Sequence, residues 1–360
     1  MSPLRFITDS TVAQNILNGL FLLAASVLLF FFIRKNNLPD ALAFVASAAM
    51  LLNQRVLHFA TMMMSEMSYL LFIIFVIWCL YKLSDKKPFW CDKWFYLLIL
   101  SSAYGYHIRT QGITLAVAVV AYLLVSKKWK TALGFIGGYV LCLAPWIIRN
   151  KVLGVEGNRY ISQIFGVSNH RPDEGVLGIG GIIERFFETF SMLITKAIPN
   201  TMIPYLKVDY TAATTFGEWL IGIVLIAIVV IGFFRLGKLK YFFIFYTLAT
   251  LGIISLFNDP GQNRYITTLV PFLDAGLIIG LYSIILAVMK RLKLSMGFSP
   301  WFLALLFVLF SIPNLKEEHE MNKAPFPPNY ENFFKIGEEI RKQLPPTTMV
   351  CSRKPTLFYM

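Results

Sequence analysis

The chain of 360 residues is 57% hydrophobic and only 15% charged, and its mean hydropathy is +0.63. That composition excludes a soluble domain of this length. The 33 Lys and Arg outnumber the 20 Asp and Glu, for a formal net charge of +13. The excess sits in short connections between apolar runs, so it reads as topogenic and not as a nucleic-acid footprint.

Runs near the length needed to cross roughly 30 Å of hydrocarbon recur along the chain, and lipid-exposed backbone must be hydrogen-bonded internally. The expected fold is an all-α polytopic membrane protein with about ten transmembrane helices. In chain order the spans fall at 14–33, 40–57, 67–83, 93–107, 111–126, 131–148, 215–235, 240–257, 266–289 and 298–314. The runs 93–107 and 111–126 fall below the usual length of about 17 residues, so they are expected to tilt little, thin the bilayer or break near the polar stretch between them.

Two segments are long enough to build something outside the spans. Residues 149–214 carry the turn-rich "NHRPDEGVLGIGG" and then "IIERFFETFSMLITKAI", whose helical spacing of apolar residues fits an amphipathic helix on the outer membrane surface. Residues 315–360 begin polar and Pro-rich, continue as one short helix over "YENFFKIGEEIRKQL", and close on "TMVCSRKPTLFYM", which reads as a strand cut off mid-element. The expected organisation is a transmembrane domain at 1–314, with 149–214 as its large outer loop, and a truncated outer segment at 315–360.

Orientation follows from the short loops. One set holds Arg34, Lys35, Lys82, Lys86, Lys87, Lys93, Lys127, Lys128, Lys130, Arg235, Lys238, Lys240, Lys290, Arg291 and Lys293. The other side holds about four basic residues, Arg5, Arg55, Arg109 and Arg264, a strong positive-inside bias that places the first set in the cytoplasm. The N-terminus then lies outside although residues 1–34 lack the features of a signal peptide, and a missing first helix explains this most simply. Cys79, Cys91, Cys142 and Cys351 show no metal spacing and fall in different compartments, so neither a disulfide framework nor a metal site is expected, and no cofactor is predicted.

With orientation set, the uncommon polar residues collect at the outer face. His58 and Glu66 flank one loop, and His107, Arg109 and Gln111 occupy the next. Arg149 and Asn150 end the sixth span, and Asp259, Gln262, Asn263, Arg264 and Tyr265 form another group. Each has a plain alternative. Glu66 could merely complement a helix N-terminus, Arg109, Arg149 and Arg264 could reach to headgroups, and His58 and His107 could be interfacial. Asp9 reads as a cap or turn residue, and Asp173 and Glu174 as solvated loop residues. Their convergence carries the argument: an outward cavity with arginines and a carboxylate suits an anionic phosphate on a lipid, because guanidinium binds phosphate oxygens in a planar fork.

The order "MSEMSYLLF", "YHIRTQGITLAVAVVAYLLVSKKWK", "APWIIRNKVLG", "NRYITTLVPFL" resembles the GT-C membrane glycosyltransferases of the family 39 type, which includes protein O-mannosyltransferases and the lipid A aminoarabinose transferase. The resemblance covers roughly residues 1 to 275. It implies transfer of a sugar from a polyprenyl-phosphate donor to a lipid, glycan or protein acceptor on the outer side, in a bacterial inner membrane. By the same resemblance Glu66 positions the acceptor, and Arg109, Gln111, Arg264 and Tyr265 line the donor-phosphate and acceptor cavity; His58 and Arg149, from their place at the outer face, are expected with them as substrate-binding residues. The chain departs from the family pattern at its start, where members carry one more helix and an outer loop bearing the main catalytic base. An incomplete chain is therefore expected.

The competing readings are a transporter or flippase of lipid-linked substrates, and an inactive fragment. Against the transporter stand the lack of an internal repeat and of an ionisable residue convincingly at midmembrane.

Overall fold

The computed structural model describes residues 11–62, 64–154, 163–167, 174–203, 206, 208–257, 263–293, 299–323, 328–345 and 348. Asp9, Asp173, Asp259, Gln262 and the strand expected at 349–360 lie outside them. The chain divides into two compact units, 1–312 and 313–360.

The first unit is a bundle of helices. In order these are α1 (Thr11–Arg34), α2 (Asp40–Ala48), α3 (Gln54–Ala60), α4 (Glu66–Lys82), α5 (Lys93–Ile108), α6 (Gly112–Val125), α7 (Trp129–Val152), α8 (Ile179–Met192), α9 (Ile198–Met202), α10 (Phe216–Phe234), α11 (Lys240–Ser255), α12 (Asn263–Ile266) and α13 (Val270–Arg291), followed by the start of α14 (Pro300–Lys323). Six of these helices, counted with any helical extension at their ends, are long and apolar enough to cross a membrane, or seven if the bent pair α2–α3 is one span. The expected spans at 67–83, 93–107 and 111–126 are helical but run to only 17, 16 and 14 residues. The chain is a multi-pass integral membrane protein.

Local chemistry sets several boundaries. The run expected as one span at 40–57 is broken by 56°, because the Asn53 side chain accepts from the amides of Arg55 and Val56 and so starts a new helix. Thr215 and Glu218 form a capping box at the head of α10. The segment expected as an outer amphipathic helix extends from α8 through a π-helical turn, Leu193–Ala197, into α9. Ile179, Ile183 and Phe187 on α8 are exposed, whereas Leu193, Ala197 and Ile198 are buried in the core. Only the first half therefore has a free apolar face.

More than half of the most apolar window of α13 is buried, against under a quarter for α7, so α13 is central and α7 presents apolar side chains outward, as a lipid-facing helix does. Helices α10 and α13 meet backbone to backbone. A Cβ on Gly232 would collide with the carbonyl oxygen of Gly276, and one on Gly280 with that of Ile228. Small residues four apart, Gly276 and Gly280, permit the close approach on which helix association depends where lipid offers no hydrophobic driving force.

At the basic end of the bundle Lys128 pairs with Asp85, and that hydrogen bond holds the Asp85 carboxyl below its ordinary range. Lys238 lies over the Tyr81 ring at 5.1 Å. The second unit contains the end of α14, which has Pro313 within it, and α15 (Pro328–Gln343). Helix α15 coincides with the single short helix expected there.

The glycine contacts give a stability test. Gly280→Ala should destabilise the bundle by about 2–3 kcal/mol, the scale of overpacking against immovable backbone. Gly252→Ala, where a Cβ would meet nothing within 4 Å, should be neutral or slightly stabilising. Thermal unfolding of the purified protein in detergent checks the pair.

Candidate active site

Glu66 occupies the first turn of α4, where a carboxylate complements the positive helix end. That role alone leaves such a side chain in water, yet Glu66 is 0% exposed. A buried carboxylate needs partners, and two arginines supply them. Arg109 Nη1 and Arg264 Nε each lie 2.5 Å from the same oxygen, Oε1. They come from segments 43 and 198 residues further along the chain.

Arg109 is delivered by the hairpin between α5 and α6. It terminates α5 in an extended conformation, φ −146° and ψ 132°, and the chain reverses within three residues. The Gly112 amide donates to the Arg109 carbonyl at 2.8 Å. A Cβ at Gly112 would sit within 2.6 Å of the backbone of Gly105 and Tyr106, so glycine is required where the two helices cross. Arg109 Nη1 also reaches Ser65 Oγ at 3.5 Å, and its guanidinium lies 5.8 Å from the Tyr265 ring centroid.

Gln111 and Tyr265 join the hairpin to the α12 turn. Gln111 Nε2 donates to the Tyr265 carbonyl at 2.9 Å, while the Gln111 carbonyl accepts from Tyr69 at 3.4 Å and Thr114 at 2.9 Å. Below them the Thr250 hydroxyl meets that of Thr114 at 3.3 Å. The arginines differ in access. The Arg109 side chain is 8% exposed and that of Arg264 is 42% exposed.

The structure thus brings together Glu66, Arg109, Gln111, Arg264 and Tyr265. Arg149 stands apart: it is exposed, stacks over Trp146 at 5.1 Å and donates to Asn150 at 3.2 Å. These are contacts of a helix end with itself. His107 packs edge-on to Trp146 and His58 edge-on to Phe59. Glu174 is exposed, and of Asn263 only the backbone, at the start of α12, is described.

A second buried polar junction lies outside the sequence expectations. Asn53 Nδ2 donates to Asp274 Oδ2 at 3.0 Å and to the Thr201 carbonyl at 3.1 Å, tying the α2–α3 break to α13 and α9. Arg55 reaches Asn200 at 3.3 Å. A lone Asp inside an apolar run was the available signal for Asp274. Lys196, equally unexpected, is 2% exposed and donates to the carbonyls of Asp209 and Ala212, pinning the segment that follows α9.

The unequal exposure predicts unequal costs. Arg109→Ala strands a buried carboxylate and should cost about 3–5 kcal/mol, whereas the half-exposed Arg264→Ala should cost about 1 kcal/mol or less. Denaturation of the two variants side by side measures the difference.

Residues 5–152 match the family model described as dolichyl-phosphate-mannose-protein mannosyltransferase. The matched region contains Glu66, Arg109 and Gln111 and ends before Arg264. No curated protein and no solved structure matches the chain. The match spans less than half of the chain, and together with the apolar helix bundle it supports a membrane glycosyltransferase of the GT-C family 39 type.

Proposed function

We propose that this protein transfers a sugar from a polyprenyl-phosphate donor to a lipid, glycan or protein acceptor on the outer side of the membrane, and that the cluster at Glu66 holds the donor. The observation that carries the reading is one fully buried carboxylate shared by two arginines from distant segments. Counted together, the three side chains carry one net positive charge. That suits a single anion, and Arg264 leaves its guanidinium within reach of solvent.

The division of labour follows from burial. Arg109 is fixed by Glu66, Ser65 and the Tyr265 ring, and holds the carboxylate in place. Arg264 meets the lipid phosphate and stabilises the charge that develops as the phosphate leaves. Glu66 acts by position: it sets both guanidiniums and orients polar groups of the substrates. The reaction is a displacement at the anomeric carbon, in which the acceptor oxygen bonds to carbon, its proton passes to a carboxylate base and the polyprenyl phosphate departs. A single displacement inverts the configuration. Lys82, Lys127, Lys238 and Lys290 lie at the opposite helix ends from Glu66 and Arg109, so the positive-inside bias supports an outward-facing site.

A transfer assay tests this reading, using membranes containing the protein and a panel of radiolabelled polyprenyl-phosphate sugars. Glu66→Gln should preserve expression and lower turnover by about a hundredfold, the scale of losing an orienting group. Arg109→Lys should weaken donor binding, since lysine keeps the charge but loses the planar fork. Unchanged turnover in a well-expressed Glu66→Gln protein would return Glu66 to helix-end electrostatics.

A further inference from the structure

Three polar atoms of the arginine cluster are buried without a hydrogen bond to any described residue, Glu66 Oε2, Arg109 Nε and Gln111 Oε1, and the buried Tyr246 hydroxyl beside them is shared among Tyr69, Thr250 and Thr268. They belong to one neighbourhood. Glu66 and Arg109 are paired, Gln111 is tied to Tyr69, and Tyr246 lies beside Tyr69, Thr250 and Thr268. Glu66 and Thr268 are 0% exposed and Tyr246 is 1% exposed. Leaving such groups unsatisfied costs about 1–3 kcal/mol each, so three beside a pair of hydroxyls mark a place where a polar guest belongs.

The chemistry of the atoms selects the guest. Glu66 Oε2 and Gln111 Oε1 only accept, the two hydroxyls accept and donate, and only Arg109 Nε is restricted to donating. A phosphate, which offers acceptors alone, would face a carboxylate oxygen and a carboxamide oxygen with nothing to give them. A sugar hydroxyl donates one bond and accepts others, and a row of them satisfies the whole set. Resting on the reading of the cluster as the donor site, we propose that the layer of Glu66, Gln111, Tyr246 and Thr268 reads the hydroxyls of the donor sugar, while Arg264 alone meets the lipid phosphate. The split is one of depth. The half-exposed guanidinium stands at the rim, and the acceptor-rich layer lies beneath it.

The test uses the full chain in detergent and compares binding of bare dolichyl phosphate with dolichyl phosphate carrying mannose, glucose or another hexose. At least one sugar-bearing lipid should bind about tenfold more tightly than the bare phosphate, the worth of one or two well-made hydrogen bonds. Tyr246→Phe and Thr268→Val each remove one hydroxyl from a layer in which Tyr246 lies within hydrogen-bonding range of Tyr69, Thr250 and Thr268, so thermal unfolding of each variant first checks that it folds as the parent does. Each should shrink the sugar advantage to about threefold or less while leaving affinity for dolichyl phosphate unchanged. Arg264→Gln should weaken bare and sugar-bearing lipids by the same factor. The proposal is overturned if no sugar-bearing lipid outcompetes the bare phosphate, or if the advantage survives in both hydroxyl variants. If instead Arg264→Gln leaves dolichyl phosphate binding intact, the phosphate assignment beneath the proposal falls, a result distinguishable from the first two.

Discussion

A carboxylate with no access to water, bridged through one oxygen by two guanidiniums, is the constraint on which the polar end of this bundle depends. Burying Glu66 alone would cost several kcal/mol. The attraction of Arg109 and Arg264 offsets that cost only if the hairpin between α5 and α6 and the turn before α13 are both in place. The ion pairs therefore join three segments that helix packing alone would leave loosely related. They also set a charge pattern, two positives around one negative, that favours an anion at the exposed side.

The apolar packing serves the same end. Gly232, Gly276 and Gly280 let α10 and α13 touch through their backbones, which fixes the helix that directly follows the short α12 carrying Arg264. Gly112 does the same for the crossing of α5 and α6, and thereby for Arg109. The Asn53–Asp274 bond ties the broken α2–α3 span to α13. Lys196 holds the segment after α9 by its carbonyls. Each feature removes freedom from a part of the bundle. A glycosyltransferase working at a membrane must hold a long lipid, a sugar and an acceptor in register, and rigid support of a few charged groups is how such alignment lowers a barrier.

Much of this was legible in the sequence because membrane helices announce themselves by length and hydropathy. The helices at 14–33 and 215–235 emerged within a few residues of those bounds, as did the short helix near the C-terminus. Glu66, Arg109 and Arg264 stood out as charges at the lips of spans. Their burial and mutual pairing did not, because residues 198 apart in sequence, as Glu66 and Arg264 are, have no periodicity that relates them. The break at Asn53 was missed because hydropathy averages over the capping side chain that causes it. Asp274 was overlooked for a related reason, since one carboxylate barely alters the mean of an apolar window. The Gly276–Gly280 spacing was readable as a packing motif, although its partner Gly232 was not. Arg149 was grouped with Arg109 among the expected substrate-binding residues, and the fold separates an arginine facing its own helix end from one turned into the bundle.

The central claim is that Glu66 and Arg264 act as one unit in transfer. A double-mutant cycle on turnover with a sugar-bearing polyprenyl phosphate measures this most directly, using Glu66→Gln, Arg264→Gln and the pair together. Groups that act as a unit are strongly non-additive, so the account predicts that the double variant is no slower than the slower single variant. A double variant whose loss equals the product of the two single losses would show that the residues act independently, and would contradict the account.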